Sequence, residues 1–336
     1  MPRLRAADLL ALLSRPRRRD SGDEQRSSRW SVEPRDDRWE RAIDALDPER
    51  DCLEIVTILS NHLFPLDILI ATELAQLRTF TIPTISNLLH QTGEYERRGG
   101  KRLDDTKAIL AEILGAGMDT PEGAAMVAHL NAIHGHYRIS NDDFLYTLSV
   151  FTVDVDAWIE RWGWRPLRPI ERRALYRIYR DLGERMGIRE IPPTFAGMVA
   201  WREAYEARVR RYDPDNEAVA RALIDGLTAL AGKAGPAVSP TIRALLSDAS
   251  VRALGLPRPP PAVTAAVHLT LELRRQLLRR LTIWNHKRFW DTALFNHYPT
   301  YPAGYERLRL GPAKIVAALE RQAAAKTTTA HRSADA

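Results

Sequence analysis

The stretch from Thr120 to Thr147, TPEGAAMVAHLNAIHGHYRISNDDFLYT, constrains the fold more than any other. Its first half opens with a helix start spelled out in three consecutive residues. Thr120 can cap, Pro121 suits the first helical position, and Glu122 puts negative charge at the positive end of the peptide dipoles. At 100° per residue, Val127, Leu130 and Tyr137 fall within about 60° of His134, so the spacing sets His134 on an inward, apolar stripe. His129 and His136 share a face roughly opposite and are expected to meet solvent. Asn131 lies one turn before His134 and Arg138 one turn after, on the same side. A neutral imidazole on a dry helix face, with a cation one turn away, suits an anionic metallocofactor. The commoner meaning of such a pattern is a core histidine whose ring nitrogens are satisfied by neighbours, and the spacing leaves both open.

The rest of the chain reads as helices. Ser140 to Asp143 form a turn and N-cap cluster before a richly apolar helix, Phe144 to Trp162, which Gly163 closes. Upstream, helices are expected at 39–46, 50–64, 66–78 and 84–90, with Pro65 and Gly93 as breaks. Gly99 and Gly100 suggest a sharp turn before a helix from Leu103 to Leu114, whose first turn carries Asp104, Asp105 and Thr106. Downstream, Pro169 opens a helix that Gly187 ends. Further helices follow at 195–212, 216–231 and 240–246, and a proline-rich connection, Leu254 to Pro261, leads to a long amphipathic helix at 262–284. That helix carries Arg274, Arg275, Arg279 and Arg280, which read equally as a solvent-facing stripe or, at one edge, as partners for the propionates of an anionic metallocofactor. The aromatic segment from His286 to Pro312 reads as an ordered wrap. No stretch alternates convincingly as a β-strand.

The expected fold is therefore all-α: a helical domain at 39–322, preceded by a flexible basic arm and linker at 1–38 and followed by a disordered tail at 323–336. Composition narrows the function. A chain of 336 residues with 45% apolar and 27% charged residues can bury a core large enough to hide a cofactor. One cysteine, Cys52, excludes a disulfide framework, a thiolate zinc cluster and an iron–sulfur centre, and there is no C-x-x-C-H for covalent haem attachment. No phosphate-cradling glycine loop, H-E-x-x-H or G-x-S-x-G occurs. No run of about 18 apolar residues is present to span a membrane, and the N-terminus lacks a signal peptide's long apolar core. The expected location is cytoplasmic. The first 19 residues hold six arginines and one aspartate, which leaves room for peripheral contact with an anionic membrane. Basic residues are scattered rather than gathered on a recognition helix, so nucleic acid is not an expected partner.

Three motifs in order carry a family resemblance: Thr92-Gly93 followed by KRLDDT (Lys101 to Thr106), the NAIHGHYRISNDDFLYTL stretch, and the aromatic helix with DAWIERWGWRPL and GERMGI. Together they resemble the MpaB and rubber-oxygenase (latex-clearing protein) family, over roughly residues 60–210 with a weaker echo in HYPTYPAGYERLRLGP. The resemblance implies a helical domain enclosing a noncovalent b-type haem, with His134 as proximal iron ligand and Asn131 and Arg138 beside the cofactor. Arg102 and Thr106 match the family's polar residues on the distal side. It further implies an oxygenase that uses dioxygen on a small apolar, alkene-bearing substrate, with a reductant unidentified. Rubber oxygenases carry a lysine just before that threonine, where this chain has Asp105. The departure points away from rubber cleavage and toward the MpaB-like branch. Two other classes stay open on the residues alone: a non-catalytic helical binding module, and a haem sensor or store.

Overall fold

The computed structural model describes residues 30–285 and 296–322. The expected basic arm up to residue 29 and the expected disordered tail at 323–336 lie outside the described residues, as do Trp290 and Phe295 of the aromatic wrap. Among the described residues the fold is all-α apart from one short ribbon. The chain divides into two compact units, one comprising Gln25–Gly100 and Ser140–His297, the other Lys101–Ile139 with the segment from Tyr298 onward.

In the larger unit the helices are α1 (Arg38–Asp44), α2 (Cys52–Ile58), α3 (Pro65–Thr79) and α4 (Pro83–Thr92), then the start of α5 (Glu94–Ala116). After α6 (Pro121–His134), which belongs to the smaller unit, the larger unit resumes with α7 (Asn141–Trp162), α8 (Pro169–Arg185) and α9 (Phe195–Val209). It finishes with α10 (Pro214–Leu230), α11 (Gly235–Leu245), α12 (Asp248–Ala253) and α13 (Pro261–Leu278). Helix α7 is its axis. The Ser140 side chain accepts the Asp143 N–H, and acidic residues fill the first turn, so the start is capped and matched to the dipole. Buried residues then follow on every side, Leu145, Tyr146, Val150, Val155 and Ile159 among them, which obliges the helix to pack all round. It packs against α3, α8 and α9.

Charge is buried with this core and is paired. Arg78 on α3 meets Asp154 of α7 at 3.0 Å and Glu206 of α9 at 3.1 Å, while Arg202 reaches Asp154 at 2.8 Å. The Tyr146 hydroxyl donates to Glu206 at 2.8 Å. Burial would raise the Glu206 pKa, but Arg78 and Arg210 outweigh it and hold the carboxyl below its ordinary value. Asp67 of α3 accepts both Arg274 nitrogens, at 2.9 and 2.8 Å, and the Trp158 indole N–H at 3.1 Å. Those bonds join α3, α7 and α13.

The structure departs from the sequence reading in four places. Helix 50–64 divides: α2 widens into a π-helical turn at Leu59–Leu63, and the following α3 is bent from it by 104°. The turn expected at Gly99 and Gly100 comes one residue earlier: α5 is two helices joined across a kink at Arg98 (φ −146°, ψ 40°), and the two glycines begin its second part. A short helix, α12, lies between the expected 240–246 helix and the proline-rich connection, where no element was expected. The expected 262–284 helix stops at Leu278, and Leu281–Asn285 (β2) pairs antiparallel with Trp30–Pro34 (β1) inside the stretch read as linker. Thr282, Ile283 and Trp284 are β-branched or aromatic, so the backbone leaves the helix where strand preference rises. Gly93 ends α4 in the left-handed region at φ 61°, as read.

Candidate functional site

The smaller unit brings together the KRLDDT helix, the histidine helix and the C-terminal segment. From Lys101 onward, α5 buries Leu103, Ala108, Ile109 and Ile113, and with them three carboxylates, Asp104, Asp105 and Glu112. Buried carboxylates need donors, and the C-terminal segment supplies them. Asp104 accepts the Thr300 N–H at 2.9 Å and its hydroxyl at 2.7 Å. Asp105 accepts the Tyr301 hydroxyl and, at 2.7 Å, the Lys101 ammonium. Glu112 accepts the Tyr305 hydroxyl at 2.9 Å and Arg307 at 2.7 Å. Lys101 also donates to the Gly311 carbonyl at 2.8 Å. Gly311 holds φ 117°, and a Cβ there would stand 2.7 Å from Ile133 of α6, so only glycine fits. Burial, and after it Asp105, push the Tyr301 hydroxyl above the usual phenol range, which keeps it a donor.

Helix α6 starts as read: the Thr120 side chain accepts the Gly123 N–H at 3.1 Å and Pro121 takes the first position. It ends at His134, with Gly135 at the cap. The Nδ1 atom of His134 is fully out of solvent. Burial first, and then the positive charge of Arg102, lower its pKa to about 4, so the ring is neutral at physiological pH. Arg102 sits one turn before Thr106 on α5. Its guanidinium donates to the Thr106 hydroxyl oxygen, and that hydroxyl donates in turn to the Arg102 carbonyl at 2.8 Å. The threonine thus fixes the arginine's direction. The structure therefore gathers His134, Arg102 and Thr106, three of the five residues singled out from sequence. Asn131 is half-buried one turn before His134, its carbonyl accepting the Gly135 N–H at 2.8 Å. Arg138 is displaced from its expected place: the helix ends at His134, and Arg138 lies beyond it, exposed.

His136 is exposed, as expected, but His129 is buried, against expectation. Its Nε2 lies 2.8 Å from the Leu310 carbonyl. A carbonyl only accepts, so that nitrogen carries the proton. Burial lowers its pKa, against the opposing pull of the Leu310 carbonyl and of Asp105. The donor pairs of the C-terminal segment, and His129 with them, are what sequence reasoning missed. Their trace in the sequence is the run of buried-type carboxylates on one helix and the tyrosines at 298, 301 and 305, without a spacing that links them. Arg274, read above as part of a solvent-facing stripe or as a partner for cofactor propionates, is paired with buried Asp67 instead. Cys52, expected in the core, is half-buried, and burial raises its thiol pKa.

Elsewhere, in the larger unit, a cavity of about 330 Å³ is lined by Thr84, Asp142, Asp143, Tyr205 and Arg208 among others. Its polar groups are committed to one another: Asp143 accepts from Thr84 and from Tyr205, each at 2.8 Å, and Arg208 meets Asp142 at 3.2 Å. Among the described residues no cluster of three or more His, Cys, Asp or Glu side chains could hold a bare metal ion. What the smaller unit offers is one neutral imidazole and one oriented guanidinium. That pair fits an anionic cofactor that brings most of its own ligands: His134 could hold its metal and Arg102 could meet its charge.

The profile of the family described as "ER-bound oxygenase mpaB/B'/Rubber oxygenase, catalytic domain" matches residues 66–307. The chain belongs to this family. The match takes in α5, α6 and α7, and it extends through Tyr301 and Tyr305 to Arg307. Among curated relatives, the ER-bound oxygenase mpaB of Penicillium brevicompactum is 33% identical over 171 residues, covering 46% of this chain and 44% of its own length. The ER-bound oxygenase mpaB' of the same organism is also 33% identical over 171 residues, at 46% and 40%. The mpaB of Penicillium roqueforti is 32% identical over 161 residues, at 45% and 54%. The aligned segments thus cover about half or less of each of these relatives.

Proposed function

We propose that this chain is a haem b-dependent oxygenase acting with dioxygen on a small apolar, alkene-bearing, isoprenoid-like substrate. The observation that carries the proposal is the half-buried, neutral His134, its Nδ1 out of solvent, beside the Arg102–Thr106 pair, in the motifs by which the chain resembles its family. His134 would be the protein's ligand to the iron, the haem being held noncovalently, and Arg138 and Asn131 would flank it. When bound, haem supplies the redox chemistry with dioxygen that no side chain can. The chain's own part is binding, orientation and exclusion of water. Burial keeps the His134 imidazole unprotonated and so free to donate its lone pair. Thr106 fixes the Arg102 guanidinium as a preorganised cation where negative charge would otherwise be costly. Arg138, exposed past the helix end, could meet a carboxylate at the solvent edge.

The test is an absorption spectrum of the purified full chain, expressed with a haem precursor, for wild type and His134→Ala. A Soret band in wild type that is lost or strongly altered in the variant supports the proposal. A colourless protein of full helical content that takes up no added haem overturns it. Oxygen uptake with an alkene substrate then distinguishes an oxygenase from a haem sensor or store. Thr106→Val is expected to keep the Soret band and lower turnover by about tenfold, since it unfixes an oriented cation without removing it.

For location, the relatives are named as ER-bound, and among the described residues no single helix is long and apolar enough to cross a membrane. We take the chain as cytoplasmic, with membrane contact made from the periphery.

A further inference from the structure

Among the described residues eight large hydrophobic side chains are exposed, and five of them belong to α13 and the ribbon that follows it. Leu269, Leu273 and Leu277 are 59%, 61% and 52% exposed. At 100° per residue they fall within about 80° of one another, and Ala262 and Ala266, also exposed, share their arc. No residue of this 18-residue helix is fully buried. An amphipathic helix of a soluble protein turns such a stripe inward. Here it is held outward by contacts on the opposite side. Arg274 is clamped to buried Asp67, and His268 lies against the Trp162 ring, at 5.1 Å between centroids, and near the Ala244 carbonyl at 3.3 Å. The apolar surface continues on the ribbon, where Val32 and Ile283 are direct cross-strand partners, 63% and 47% exposed. Arg35 fastens the ribbon to the end of α13 through the carbonyls of Leu278, Arg280 and Leu281. Together the five side chains expose on the order of 500 Å² of apolar surface, the size at which a patch on a monomer is commonly functional.

We propose that this face, the Leu269–Leu273–Leu277 stripe with Val32 and Ile283, is the surface by which the chain lies on an anionic lipid bilayer. The proposal rests on the peripheral-membrane reading and not on the haem. Charge favours lipid over a second copy of the chain. Arg280 stands exposed just past the end of the stripe, where its stem can lie along apolar chains and its head reach phosphate, while Arg279 beside it is exposed but donates to the Trp164 carbonyl at 3.3 Å. The stripe itself carries no carboxylate that a second copy could offer to those arginines. Glu272, at its edge, is engaged with Arg275 and Gln276. The strand bearing Val32 follows directly on the segment whose first 19 residues carry six arginines and one aspartate. A cationic segment joined to an apolar patch supplies the two signals that stable peripheral attachment needs.

The experiment is flotation of the full chain with vesicles of phosphatidylcholine containing 30% phosphatidylserine, beside phosphatidylcholine alone, for wild type and L269Q/L273Q/L277Q. Wild type is expected to float with the anionic vesicles, more weakly as salt rises, and the triple variant to partition about tenfold less or worse. The three side chains are exposed, so the variant should keep its helical signal and melting temperature. Leu273→Glu alone, which sets a charge mid-stripe, gives the same readout with less change. Equal flotation of wild type and both variants overturns the assignment of this face while leaving peripheral attachment intact. No flotation of wild type overturns both. A wild-type dimer by light scattering that the triple variant abolishes, without lipid binding, assigns the face to a second copy and overturns the proposal.

Discussion

At the scale of single residues the two histidines of α6 show what burial does to an imidazole. His129 keeps one proton, on the nitrogen facing the Leu310 carbonyl, and burial lowers its pKa below the ordinary value. An unfolded chain takes up a proton there as pH falls through about 6.5, while the folded one resists. The stability this difference contributes is present above that pH and is lost as pH falls below it. Urea midpoints of the cofactor-free protein at pH 7.5 and 5.5 are therefore expected to drop more for wild type than for His129→Gln, whose amide can keep the donor. An equal drop in both would remove His129 from the account. The helical wheel placed His129 in solvent because it assumed one buried face. Helix α6 is instead covered on that side too, by a carbonyl 181 residues away in sequence. His134 is half-buried at the end of that helix, with its Nδ1 out of solvent. Arg138 was misplaced because the wheel ran on through Gly135, where the helix ends.

Among the elements, those with a local start signal were legible. Thr120, Ser140 and Thr194 each cap a helix in the structure, because a cap is written in three or four consecutive residues. The end of α13 was not legible as a helix end: the apolar pattern runs on through Leu281, Ile283 and Trp284 while the backbone changes from helix to strand. Its arginines looked alike in sequence, yet only Arg274 is paired with a wholly buried carboxylate. Removing it leaves Asp67, 1% exposed, with a single indole donor. Arg274→Ala is expected to cost about 3–5 kcal/mol in chemical denaturation, since an uncompensated buried charge remains. The apolar pair R274M/D67L should recover most of that loss. A loss within about 0.5 kcal/mol for Arg274→Ala, the level of a surface change, would mean that Asp67 finds water instead.

For the molecule as a whole, the fold class followed from helix periodicity, the capped starts and the absence of long strands, whereas the assembly of the smaller unit did not. Its bonds join residues such as Asp105 and Tyr301, 196 positions apart, and a hydrogen bond of that span leaves no local pattern to read. Each tyrosine hydroxyl bonded to Asp105 or Glu112 satisfies a buried acceptor, and stripping one costs about 1–3 kcal/mol. In Y301F/Y305F, native-state hydrogen exchange is expected to lose protection across residues 101–139 while Asn141–Trp162 keeps it. Uniform loss across both would mean that the two units unfold as one.

The same bonds fix an order of events during synthesis. At roughly 5–20 residues per second, Tyr301 leaves the ribosome about 10–40 s after Asp105. Until then Asp104, Asp105 and Glu112 lack the partners that the C-terminal segment brings, and His129 lacks its carbonyl. The larger unit's second run can fold as it emerges. The unit that holds His134 closes only once the segment through Gly311 has emerged.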